Sequence, residues 1–179
     1  MKTKIKIKNL TKTFNTSSGL KKALDDISLE IFEGDFIVLG GENGSGKSLL
    51  MSIISGLVDA DSNERSLVRV EERVGLVFQE AETQILGETP REDIAFGPKN
   101  LGWNKERIQV AVNEALEETG LMEKADFPAR FLSGGEKRRL AIACMLAMDL
   151  NIIILDEPFA NLDFCGVKQV NSLLQKLKS

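Results

Sequence analysis

A chain of 179 residues that is 42% hydrophobic and 28% charged is long enough to bury a real core and polar enough to dissolve. Its net charge of -4 argues against a nucleic-acid partner, no apolar run approaches the roughly 18 to 20 residues that span a bilayer, and Met1-Lys2-Thr3-Lys4 leads into no apolar signal segment. Cys144 and Cys165 share no short metal-ligand spacing and histidine is absent, which argues against a zinc site or a Cys-His nucleophile and for a reducing cytoplasm.

Taken in chain order, Lys4-Ile5-Lys6-Ile7-Lys8 alternates strictly and predicts a strand with one apolar face and one lysine face, solvated at a sheet edge. A second run over residues 27–32 ends at a Gly34-Asp35 turn, and the apolar run Phe36-Ile37-Val38-Leu39 predicts a buried strand. Directly after it, Gly41-Glu42-Asn43-Gly44-Ser45-Gly46-Lys47-Ser48 fills the template G-x-x-x-x-G-K-[ST]. Glycines there let backbone N–H groups converge on phosphate oxygens with no Cβ in the way, and a helix predicted over 47–55 points its positive end at the same place. Lys47 is expected to reach the β- and γ-phosphates, and Ser48 to offer a hydroxyl to Mg²⁺. These residues therefore predict nucleoside triphosphate binding.

Farther along, Ile108, Val112, Ala115 and Leu116 recur at helical spacing and predict a helix over 104–118 that stops at Gly120. A second helix is opened by Leu132-Ser133-Gly134-Gly135-Glu136 and continues through Lys137-Arg138-Arg139-Leu140-Ala141-Ile142-Ala143. Four apolar residues, 152–155, then predict a buried parallel strand that ends in Asp156-Glu157-Pro158. Ligands of open α/β sheets sit at the carboxyl ends of strands, so Asp156 is expected in the Mg²⁺ shell and Glu157 beside a water aimed at the γ-phosphate. No internal repeat or linker is seen. One domain over 1–179 is expected, with a nucleotide-binding core at 1–79 and 150–179 and a helical subdomain at 80–149.

Together these motifs resemble the ATP-binding-cassette (ABC) ATPases: Leu132 to Glu136 looks like the signature motif, with Glu136 where glutamine is common, and Asp156-Glu157-Pro158 like the Walker B end. Gln79 after Val77-Phe78 looks like the Q-loop glutamine, and Asn161-Leu162-Asp163 like the D-loop. The resemblance implies an α/β P-loop NTPase fold: a mostly parallel sheet flanked by helices, a helical subdomain and a reduced N-terminal antiparallel β region. The reduction is expected because only residues 56–73 separate the first helix from Val74. By the same resemblance ATP is held by Gly41, Asn43, Gly44, Ser45, Gly46, Lys47, Ser48 and Leu49, with Phe14 stacked on adenine. Ser133, Gly134 and Gly135 would meet the γ-phosphate of ATP held on a second subunit. Glu157, Lys47 and Gln79 would act in catalysis, and Ser48, Gln79 and Asp156 would hold Mg²⁺. The family also places a histidine after one more strand beyond the D-loop helix, where Val167, Val170, Leu173, Leu174 and Leu177 form an amphipathic stretch. This chain has no histidine, so the expected sheet lacks its C-terminal strand.

The phrase Val74-Gly75-Leu76-Val77-Phe78-Gln79, with Gln84-Ile85, Thr89, Asp93-Ile94-Ala95-Phe96-Gly97-Pro98 and Asn100-Leu101-Gly102, looks like the energy-coupling-factor importers, including the cobalt and nickel type. That likeness implies two ATPase subunits, identical or different, gripping a transmembrane coupling protein that engages a membrane protein for capture of a vitamin or metal ion. The chain would then lie in the cytoplasm, peripheral on the inner face of the membrane. Two alternatives stay open at this point: an ATP-binding remnant or regulatory partner with impaired hydrolysis, and a soluble ABC ATPase.

Overall fold

The computed structural model describes residues 2–17, 19–61 and 66–178. They fall into two compact units, Met1–Val74 and Gly75–Ser179.

In the first unit, β1 (Thr3–Thr16) and β2 (Gly19–Phe32) form an antiparallel hairpin, and β3 (Leu67–Val70) pairs with the other side of β1. The strand order is β2-β1-β3. Alternation along β1 buries Ile5 and Ile7, which join Leu10 and Leu24 in the core. The expected solvated edge is corrected here: β1 is the central strand, and Lys4 is only 7% exposed. Its ammonium tolerates that position because Glu72 bonds it and Glu33 lies 3.6 Å away. The first helix, α1 (Lys47–Ile54), buries Leu50, Ile53 and Ile54.

The strand expected over 36–39 is also corrected. These residues belong to neither sheet, and Phe36, Ile37, Val38 and Leu39 are 47%, 58%, 83% and 42% exposed. An apolar run becomes a buried strand only where ladders flank it, and no flanking strands for this segment lie among the described residues. Of the span 56–73, residues 62–65 lie outside the described residues, while 67–70 form β3.

The second unit holds β4 (Val74–Val77) apart from its first residue, α2 (Pro90–Asn100), α3 (Lys105–Glu118), α4 (Gly134–Leu146), β5 (Ile152–Leu155) and α5 (Phe164–Lys178). Thr89 and Asn104 cap α2 and α3 by accepting from Glu92 N–H and Arg107 N–H, and Gly120, at φ 66°, follows the end of α3. Ile94, Val112, Leu116, Leu121 and Leu140 make one helical core. Val77, Ile142, Val170 and Leu173 make a second, where α4 and α5 meet β4. The helix α4 serves both cores, which explains why Leu140, Ala141, Ile142 and Ala143 are all buried. The strand β5 forms where expected, but its four residues are half-buried, because β4 is its sole ladder partner among the described residues.

Candidate functional site

The candidate residues divide between the two units. In the first, residues 41–46 run as an exposed to half-buried loop into α1, with Gly44 and Gly46 at φ 79° and 93°. A Cβ on Gly46 would stand 2.8 Å from both the Ala23 carbonyl oxygen and Leu24 Cδ2, so glycine is required by β2 as well as by φ. Lys47 Nζ donates to the Gly41 and Glu42 carbonyls at 3.0 and 2.8 Å, which folds the ammonium back over the loop. No acidic residue occupies the first turn of α1, so its N–H groups and dipole are left for an anion. Asn43, Ser45 and Ser48 are exposed and Leu49 is half-buried. On β1 of the same unit, the Phe14 ring is 42% exposed, with Lys12 Nζ 5.5 Å from its centroid.

In the second unit, the segments that leave β4 and β5 carry Gln79, Asp156 and Glu157 to one place. Gln79 Nε2 donates to Glu157 Oε2 at 2.7 Å. Backbone N–H of Asp156 donates to the Val77 carbonyl at 2.9 Å, and the Asp156 residue is only 8% exposed. Glu157 itself takes φ 45°, a left-handed conformation uncommon for its residue type. At the start of α4, Ser133 accepts from Glu136 N–H while the Glu136 carboxylate accepts from Ser133 N–H at 2.8 Å, a reciprocal capping box. Gly135 is buried where α4 crosses α5: a Cβ on it would lie 2.9 Å from Gly166 Cα. Asp163 accepts from Gly166 N–H at 2.8 Å and so caps α5.

One residue was missed by sequence reasoning. Arg138, on α4, donates through its two terminal nitrogens to the Phe78 and Gln79 carbonyls at 2.6 and 2.5 Å. It is 3% exposed; burial pushes its pKa below the usual arginine value while the charge of Asp156 opposes that. The guanidinium thus fixes the backbone from which the Gln79 side chain reaches Glu157. Its available signal was a charge just before the apolar run 140–143.

Residues 24–160 match the family model described as ABC transporter. The energy-coupling factor transporter ATP-binding protein EcfA2 of Clostridium tetani is 44% identical over 181 residues, covering 93% of this chain and 63% of that protein. The cobalt import ATP-binding protein CbiO of Rhodobacter capsulatus is 38% identical over 173 residues, covering 90% of this chain and 62% of its own length. The chain therefore spans under two thirds of either relative. A solved structure of cbiO1 from Clostridium perfringens, described as part of the ABC transporter complex cbiONQ, superposes with a TM-score of 0.85 at 30% identity, over 99% of this chain and 74% of that one. A complete phosphate loop, a Gln79–Glu157 pair and a serine-capped glycine helix agree with these matches: the chain belongs to the ABC transporter family, as an ATP-binding domain.

Proposed function

We propose that the chain is the ATP-binding and hydrolysing subunit of an importer of the energy-coupling-factor type, powering uptake of a vitamin or metal ion. The observation that carries this reading is the hydrogen bond between Gln79 and Glu157, which pairs the two residues that the reaction needs beside the γ-phosphate. The likeness to EcfA2 and CbiO supports the importer class.

In this reading the loop of Gly41, Asn43, Gly44, Ser45 and Gly46 cradles the phosphates with backbone N–H groups, helped by Leu49 N–H at the start of α1. Lys47 exchanges its bonds to two loop carbonyls for phosphate oxygens and neutralises charge as the γ-phosphoryl transfers. Phe14 stacks on the adenine. Ser48 hydroxyl in the first unit, and Gln79 amide oxygen and Asp156 carboxylate in the second, each offer the hard oxygen donor that Mg²⁺ takes, and the bond of Gln79 Nε2 to Glu157 leaves Oε1 as the donor atom. Held by these residues, Mg²⁺ would supply positive charge to offset that of the phosphates. Glu157 draws a proton from a water as its oxygen attacks the γ-phosphorus in line, and ADP leaves with its bridging oxygen. Ser133, Gly134 and Gly135 act on the ATP of a second cassette, so the working unit is a pair of subunits. The core at 1–79 and 150–179 and the helical subdomain at 80–149 work as one cassette. The further partners are a transmembrane coupling protein and a substrate-capture membrane protein rather than nucleic acid. No helix among the described residues is long and apolar enough to cross a membrane, and the chain's place in this reading is peripheral, on the cytoplasmic face.

The test is Mg-ATP hydrolysis by the chain, alone and mixed with a second cassette, beside Glu157→Gln. Phosphate release that falls by about a hundredfold or more in the mutant, with ATP binding retained, is expected. ATP binding with no Glu157-dependent release in either mixture would replace this reading with that of a regulatory binding partner.

A further inference from the structure

The ladder between β1 and β2 slips on both sides of Lys12: Leu10 pairs with Ile27, Lys12 with Leu24 and Thr13 with Lys22. Such slips are bulges, which leave backbone groups without ladder partners and re-aim the next side chains. Here the Thr13 N–H donates to Asp61 Oδ2 at 2.7 Å. The other carboxylate oxygen of Asp61 lies 3.0 Å from Lys12 Nζ, and that ammonium stands 5.5 Å from the centre of the Phe14 ring. One carboxylate thus holds both the backbone and the side chain just before Phe14. The bond from Lys12, then that from Thr13 N–H, keeps the Asp61 carboxyl below the usual carboxylate range, as expected for an anion held in place.

The far end of the same connection is the phosphate loop. Leu24, the ladder partner of Lys12, has its Cδ2 2.8 Å from where a Cβ of Gly46 would sit. A shift of the bulge therefore moves Phe14 against a loop that is itself braced on β2. We infer that Asp61 and Lys12 form a clamp that positions Phe14 for the purine base, making both of them positioning residues for nucleotide binding. This rests on the reading of Phe14 as the base platform.

The experiment compares two ligands of the full chain by titration calorimetry: MgATP, which needs loop and platform, and inorganic triphosphate with Mg²⁺, which needs the loop alone. Stacking on an aromatic face predicts that Phe14→Ala weakens ATP about fivefold or more and leaves triphosphate unchanged. Asp61→Ala is expected to weaken ATP about threefold to tenfold with triphosphate within about twofold, and Lys12→Met to move the same ratio in the same direction. The Asp61→Ala/Phe14→Ala double variant should bind ATP no more weakly than Phe14→Ala alone, since Asp61 acts through the ring. Loss of both ligands together, or additive losses in the double variant, overturns the clamp, as does an unchanged ATP affinity in Asp61→Ala. If that variant does not fold, Lys12→Met decides by the same ratio. An unchanged ATP affinity in Phe14→Ala removes the platform reading and the clamp with it, whereas an effect of Phe14→Ala without one of Asp61→Ala removes only the clamp.

Discussion

The side-chain amide of Gln79 meets the carboxylate of Glu157 at 2.7 Å, although 78 positions separate them in the chain. Residues leaving β4 and β5 are brought to that distance by the ladder itself, through the Asp156 N–H bond to the Val77 carbonyl. Removing the amide in Gln79→Ala leaves the phosphate loop untouched. If Glu157 is the base and Gln79 an oxygen ligand, as proposed, ATP affinity changes by less than about threefold while turnover falls about tenfold or more, because both are displaced together. Paired measurements of Kd and phosphate release check the split, and equal losses in both would show that Gln79 serves the fold instead.

Arg138 supports that pair from behind. Its buried guanidinium donates to the Phe78 and Gln79 carbonyls at 2.6 and 2.5 Å, so Arg138→Met loses two charge-assisted bonds and is expected to cost about 1 to 3 kcal/mol in urea unfolding. Arg138→Lys should recover less than half of that, since one ammonium does not reproduce a planar fork. A lysine variant as stable as wild type would mean that a single carbonyl bond suffices.

Much of this arrangement was legible in the sequence because local chemistry dictated it. The glycine-lysine-serine loop, the Ser133 cap and the helix ending at Gly120 each rest on residues within a few positions of one another, and each formed as expected. The failures all involve long-range partners. Lys4 is indistinguishable by alternation from a solvated lysine until Glu72 arrives on the segment after β3. Residues 36–39 carry the composition of a buried strand, yet a ladder depends on strands elsewhere in the chain. Arg138 was hidden for the same reason: its acceptors are main-chain carbonyls, which no side-chain pattern reveals.

The two signature glycines separate into different physical roles. A methyl group on Gly135 would meet the backbone of Gly166 at 2.9 Å, whereas one on Gly134 would come nearest to Leu162 Cδ2 at 3.3 Å, with the Asn161 carbonyl oxygen at an ordinary 3.8 Å. A backbone cannot step aside as a leucine can, so Gly135→Ala is expected to lose about 1 to 3 kcal/mol of stability by forcing α4 from α5, and Gly134→Ala less than about 1 kcal/mol. Unfolding midpoints measured with unchanged denaturant slopes check the difference. Similar losses for both would place the tight contact elsewhere than the α4–α5 crossing.

Glu136 links the cap of α4 to acid stability. Burial raises the pKa of its carboxyl, but the bond from Lys124 Nζ at 2.5 Å and that from Ser133 N–H outweigh it, and the net direction is down. A carboxyl held lower in the folded chain than in the unfolded one contributes stability that is present above its unfolded pKa, about 4.3, and is lost as pH falls through the lower folded value. Glu136→Gln keeps an acceptor for Ser133 N–H yet lacks the charge facing Lys124. At pH 7 that variant should be less stable by about 0.5 to 1 kcal/mol, and the gap should be narrower at about pH 3, below the unfolded value. Urea midpoints for the two proteins at both pH values measure this directly. A gap that stays constant with pH would assign the cost to the shape of the cap rather than to its charge, and a gap that widens in acid would reverse the sign of the linkage.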